Sequence, residues 1–309
     1  MDLSGIVPAS VLPFKADLSI DGPAYRRHLL NLAFTPGVVG ITCNGHAGEV
    51  ASLSRDERRT VVALAAEAIN GRVPLIAGIH AENYLQAIDL AHDAQKEGAV
   101  ALLIFPPPVL ALGGRAEMAV RYVAELASAV DLALVVFSYA AFTGMAYDLD
   151  TLERICTIER VVAVKEWSLD IRKHEQTRDI LRGLSHRVLL LSSFSTNLLP
   201  ALVSGADGIL SGHGSVIAGL QAQLLTEIAG GDLVAAQRTY ARIKPLTDVI
   251  YREPMANMYA RMKEHLIMLG HEMSPAVRPP LERISEQERR QLSQALVDSG
   301  LAAQLAAVD

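Results

Sequence analysis

Apolar positions along this chain come in two alternating textures. Short, nearly continuous aliphatic and β-branched runs are each followed by a loop and then by a longer stretch with apolar residues at helical spacing. Parallel βαβ units are written this way. The runs fall at residues 5–13, 38–44, 73–79, 100–105, 132–137, 161–165, 188–192 and 208–211. Eight such units close naturally into a (β/α)8 barrel, with reactive groups expected at the C-terminal ends of the strands. Two boundaries carry capping-box patterns, Ser54 with Glu57 and Asp150 with Glu153, and Gly98 and Gly205 stand where helices should stop. Beyond about Val216 the strand texture vanishes, and helices are predicted over 233–252, 255–269 and 286–297, the last opening on a Ser285–Glu288 capping box. The division that follows is a barrel over 1–225 and a C-terminal helical extension over 226–309, placed either over the barrel or at an oligomer contact.

Composition narrows the class. Half of the 309 residues are hydrophobic and a fifth are charged, which suits one large core. A net charge of −6 with interleaved signs offers no basic face to nucleic acid or anionic membranes. The apolar stretch 99–112 is short for a bilayer and is broken by Pro106, Pro107 and Pro108. Cys43 and Cys156 lack metal-type spacing, and the start carries no signal-peptide pattern, so reduced thiols and a cytoplasmic protein are expected.

The chemistry concentrates in two stretches. Val161-Val162-Ala163-Val164-Lys165-Glu166-Trp167-Ser168 is an apolar strand that ends in a lysine. Desolvation in a barrel mouth disfavours ammonium and leaves more neutral amine to attack a carbonyl, the requirement of a Schiff-base lysine. The alternative is a lysine that snorkels outward or pairs with Glu166. Asn44-Gly45-His46-Ala47-Gly48-Glu49 is a turn whose glycines let consecutive amides face an anion such as a carboxylate. The alternative there is a plain tight β-to-α connection.

Together these stretches resemble the dihydrodipicolinate synthase and N-acetylneuraminate lyase family of pyruvate-type class I aldolases. The turn at 44–49 looks like that family's Gly-Thr-Thr-Gly-Glu, 161–165 like its Schiff-base strand, and 204–211 like the segment around its eighth strand. The resemblance implies a barrel with a helical extension, a homotetramer or homodimer, an imine on Lys165 with a small 2-keto acid, and no metal or organic cofactor. It also implies substrate contacts from Gly45, Ala47 and Gly48 in the turn, and from Phe137, Phe142, Ser193 and Leu210 at other strand ends.

The departures fall on chemistry. His46 and Ala47 stand where the family has two threonines. In Phe137-Ser138-Tyr139-Ala140-Ala141-Phe142-Thr143-Gly144, Phe137 occupies the family's catalytic tyrosine position and Phe142 that of its arginine. Tyr139, on the same side of a continuous strand as Phe137, offers a displaced phenol, and His46 a second proton-transfer group. The expected function is therefore a lyase, aldolase or dehydratase/deaminase in type, acting on a 2-keto acid less polar than the substrate of a true dihydrodipicolinate synthase. Phe14, Phe105, Phe137 and Phe142 are candidates for an apolar wall. Two other readings stay open: a keto-acid-binding relative without turnover, and a metal-dependent hydrolase recruiting His46, His80 and His213 with Glu49 or Glu166.

Overall fold

The computed structural model describes residues 1–301; 302–309, the end of the predicted extension, lie outside the described residues. Eight parallel strands follow one another around a barrel: β1 (Ile6–Pro8), β2 (Ile41–Cys43), β3 (Leu75–Ile79), β4 (Ala101–Ile104), β5 (Ala133–Ser138), β6 (Val161–Glu166), β7 (Leu189–Ser192) and β8 (Gly208–Ser211). β1 pairs with β8, and the bridges Ile6–Val38 and Ala9–Thr42 join β1 to the β2 side, closing the ring. The first two strands are shorter than predicted. Pro8 has no N–H for the ladder, and beyond Ala9 the backbone turns to other partners, Ser10 N–H to the Thr42 carbonyl and Val11 N–H to Ser215 Oγ. At the other end of β2, Asn44 takes a left-handed φ of 50° and leaves the sheet.

The helices are α1 (Gly22–Ala33), α2 (Arg55–Ile69), α3 (Tyr84–Lys96), α4 (Ala116–Ala129), α5 (Leu149–Cys156), α6 (Ile171–Gly183), α7 (Leu198–Val203) and α8 (Gly214–Ala229) around the barrel. Then come α9 (Leu233–Ile250), α10 (Met258–Met268) and α11 (Glu286–Asp298). Strand residues covered by this layer are almost all buried, as a parallel sheet requires. The capping boxes at Ser54 and Ser285 both form. At α5 the cap is Asp148, whose carboxylate accepts the Thr151 N–H, so the helix starts two residues before the Asp150 pattern suggested. Gly98 and Gly205 adopt φ of 102° and 106° just past α3 and α7. α8 runs unbroken across the predicted division at 225/226. No helix among the described residues is long and apolar enough to cross a membrane.

Candidate active site

β5 and β6 bring Lys165 and Phe137 together. Their register sets Phe137 beside Lys165, and the Lys165 Nζ lies 3.8 Å from the Phe137 ring centroid. Lys165 is 4% exposed. Its neighbour Glu166 does not neutralise it: the Glu166 carboxylate accepts from Ser168 N–H at 2.8 Å and meets His174 Nδ1 at 3.0 Å. Among the described residues no carboxylate pairs with Lys165. Burial pushes its amine down to about 7, because an unpaired ammonium is poorly solvated there. The Phe137 π face opposes this in part, since it favours a cation above it.

The turn after β2 supplies the opposite wall. Residues His46–Gly48 form one 3-10 turn, flanked by Asn44 and Glu49 with left-handed φ of 50° and 53°. That conformation costs a side-chain-bearing residue about 1–2 kcal/mol. The strain therefore sits at Asn44 and Glu49, while Gly45 is extended at φ −85°. Gly45 and Gly48 instead permit close packing on the end of β1, where an added Cβ would lie 3.4 Å from Ala9 Cβ and 3.3 Å from the Ser10 carbonyl oxygen. Gly78 on β3 is needed outright, since a Cβ there would overlap the Asn44 carbonyl. Hydrogen bonding within the turn begins with Gly48 N–H to the Gly45 carbonyl and Glu49 N–H to the His46 carbonyl. This leaves the His46 and Ala47 amides without a partner inside the turn, as at any helical start, whereas the Gly48 amide is committed and cannot face a substrate.

The Glu49 carboxylate is buried and held from the C-terminal extension. Oε1 accepts from Lys263 Nζ at 2.5 Å and Oε2 from the Arg278 N–H at 2.9 Å. His46 Nε2 lies 2.5 Å from the Tyr139 hydroxyl. Burial, then the Lys165 charge, then His80 hold the His46 imidazole down at about 3, so it is neutral at pH 7. Burial pushes the Tyr139 phenol up. A neutral imidazole and a neutral phenol thus share one hydrogen bond. Phe137, Tyr139, Phe105 and Trp167 pack edge to face around it, with the Phe137 and Tyr139 ring centroids 4.4 Å apart.

A narrow cavity of about 40 Å³ opens on Lys165, lined also by Ala9, His46, Ala47, Phe137, Trp167, Ser193, Gly212, Tyr251, Met258 and Met262. Of the residues proposed from sequence, Lys165, His46, Ala47, Phe137 and Ser193 line it. Tyr139 reaches it through His46. Leu210 does not: it is a core residue of β8 with no exposed surface, and Gly212, two positions on, takes its place. Phe142 is 69% exposed and touches Trp167 edge-on at 5.9 Å, outside the cavity. The short turn at Ala141–Thr143 carries it outward. Phe14 faces Lys263 and Arg278, away from the lysine pocket. Larger clefts lie on the outer surface, about 340 Å³ beside α6 and about 490 Å³ between α3 and α4, and neither is lined by a lysine.

Tyr251, Met258 and Met262 had no distinguishing sequence signal, being apolar positions of helical periodicity in the extension. They show that the extension covers the barrel mouth. The residues of the metal reading are dispersed. Glu49 is paired with Lys263, Glu166 with His174, and His213 Nδ1 with Thr247 Oγ1. Among the described residues no three His, Cys, Asp or Glu side chains gather at ligating distance.

A closed (β/α)8 barrel with an unpaired lysine buried at the mouth of its sixth strand has the design of a class I aldolase-type lyase. Comparison makes the relationship specific: the chain belongs to the dihydrodipicolinate synthetase family, whose model matches residues 2–299. It is 31% identical to 4-hydroxy-tetrahydrodipicolinate synthase of Syntrophobacter fumaroxidans over 96% of this chain and 99% of that protein. An uncharacterised DapA-like lyase of Halobacterium salinarum is 30% identical over 97% of this chain and 95% of its own. The crystal structure of dihydrodipicolinate synthase from Thermotoga maritima superposes with a TM-score of 0.89 at 25% identity, covering 96% and 98% of the two chains.

Proposed function

We propose that this protein is a Schiff-base-forming lyase, of the aldolase or dehydratase/deaminase type, acting on a small and comparatively apolar 2-keto acid. The observation that carries this is Lys165: buried, without a carboxylate partner, and held near pH 7 at the floor of the pocket. The neutral amine adds to the keto carbon, and loss of water leaves an imine. Protonated, this imine withdraws electrons from C3. In an aldol cleavage the C4 hydroxyl gives up its proton, the C3–C4 bond breaks to release an aldehyde, and the bonding pair enters an enamine. A proton returns to C3, and one water hydrolyses the imine to keto acid and free Lys165. In a dehydration or deamination, C3 loses a proton and C4 its hydroxyl or amino group. The Phe137 ring supports the cationic imine as it supports the ammonium.

The amides of His46 and Ala47 suit the keto-acid carboxylate, and the His46–Tyr139 pair suits proton transfer at C3 and C4. Phe137 and Trp167, with Phe105 packed behind Phe137, give the reacting end hydrocarbon walls, and no arginine among the described residues lines the cavity. These features argue against 4-hydroxy-tetrahydrodipicolinate synthase itself. The same reading includes a cytoplasmic enzyme without cofactor, assembled as a homotetramer or homodimer. The assembly is supported by the exposed apolar side chains of Tyr84, Leu85, Val109, Leu112 and Met118.

The test is to incubate the protein with pyruvate and a series of longer 2-keto acids, reduce with borohydride, and locate added mass by peptide mass spectrometry. Adducts on Lys165, strongest with the apolar members, are expected. Folded protein that forms no adduct with any of them refutes the imine. Adducts without product from any substrate favour the keto-acid-binding relative.

A further inference from the structure

Lys263 touches neither the lysine pocket nor any residue of the proton-transfer pair, yet it makes a fully buried ion pair with the turn that carries them. Its Nζ bonds Glu49 Oε1 and the Ala276 carbonyl, at 2.5 and 2.7 Å. Both side chains are essentially without exposed surface, 0% and 1%. The Phe14 ring lies 4.3 Å from the ammonium and 4.5 Å from the Arg278 guanidinium, sealing the pair from water. The Arg278 guanidinium itself is bonded to Glu57, Leu18 and Ser52. That leaves Lys263 as the one cationic side chain bonded to Glu49 among the described residues.

Position matters more than the pair itself. Glu49 is the left-handed residue that ends the His46–Gly48 turn, and its N–H bonds the His46 carbonyl. A backbone conformation that a glutamate rarely adopts persists only when surrounding structure over-determines it. Here a lysine from α10 holds the side chain while Arg278 N–H holds its second oxygen. The direction of the His46 and Ala47 amides is thus fixed from the far end of the chain.

We infer that Lys263 is a positioning residue for keto-acid binding: through its buried pair with Glu49 it aims the turn amides at the substrate carboxylate. This rests on the proposed imine function for its kinetic readout, and on the turn geometry alone for its structural one. Removing the lysine strands a buried carboxylate, which must protonate or turn toward solvent. Either response frees Glu49 from its conformation and the amides from their direction. Lys165, on β6, is untouched.

The experiment compares wild type with Lys263→Met, and with the double variant Lys263→Met/Glu49→Gln, which leaves no unpaired charge if the single variant fails to fold. Two quantities are measured on each: the rate of Lys165 trapping against pyruvate concentration, and hydrogen exchange of the amides of Glu49 and Ser52. The expected result is a half-saturating pyruvate concentration at least ten times higher, a saturating rate within twofold of wild type, and faster exchange confined to the turn. Unchanged half-saturation and unchanged exchange in either folded variant overturn the inference and reduce the pair to a strut. Should wild type trap no pyruvate, the same measurement is made with the best-trapped member of the keto-acid series; should it trap none of them, the imine reading has failed, and the exchange result alone decides whether Lys263 positions the turn.

Discussion

Replacing Lys165 by Met exchanges a buried amine for an apolar side chain of similar length, and the consequence for stability follows from ionisation. In the folded protein burial holds the amine at about 7, against 10.5 for an ordinary lysine. The folded value is the lower one, so the native state binds fewer protons than the unfolded chain between these limits, and stability contributed by this group rises with pH. Above 10.5 both states hold a neutral amine and the penalty is gone. Below 7 the native state buries an ammonium and the penalty is complete. At about 1.4 kcal/mol per pH unit, the interval corresponds to about 5 kcal/mol as an upper figure. Lys165→Met should therefore be more stable than wild type by about 3–5 kcal/mol at pH 6, with the difference shrinking toward zero by pH 10.5. Guanidinium unfolding of both proteins at pH 6, 8 and 10 measures it. A difference that does not change with pH, or a less stable variant at pH 6, refutes the premise that the amine is desolvated.

The same ionisation sets the rate of imine formation, which should rise with pH through a midpoint near 7 and then level off, because only the neutral amine attacks; cyanoborohydride trapping from pH 5 to 10 checks this. Phe137→Leu removes the π face that favours the ammonium, worth about 0.5–2 kcal/mol, and should move that midpoint lower by about 0.4–1.4 units. Tyr139→Phe leaves Lys165 trapping intact but is expected to slow product release from the imine by about 10²–10⁴. Equal turnover in wild type and variant, measured on the best-trapped keto acid, would remove Tyr139 from the proton path.

The barrel was legible because its strands are buried on both faces and so read as continuous aliphatic runs, and because Ser54 and Ser285 cap helices with purely local chemistry. The buried position of Lys165 was legible for a related reason: a lysine closing an apolar run on a covered strand comes to lie at the barrel mouth rather than on the outer surface. Local pattern failed where geometry is not local. The glycines of the turn were read as freeing consecutive amides, yet the left-handed residues are Asn44 and Glu49, held by contacts the sequence does not display. Phe142 was aligned to a binding position, but its turn swings it outward. Leu210 stands at a strand end yet belongs to the core, and Gly212, just past the end of β8, lines the mouth in its place. Met258 and Met262 were invisible as pocket residues because an apolar helix face looks the same whether it covers a core or a substrate.

The Glu49–Lys263 bond spans 214 residues of sequence, and during synthesis that distance becomes time. A nascent chain that has reached the end of α8 holds all eight strands and Lys165. It lacks Met258 and Met262 to roof the pocket and any cation to balance Glu49. Until α10 emerges and docks, the wall that Met258 and Met262 give the Lys165 cavity is missing. Enclosure of the Lys165 amine is thereby completed only after α10 has been made, long after β6 itself.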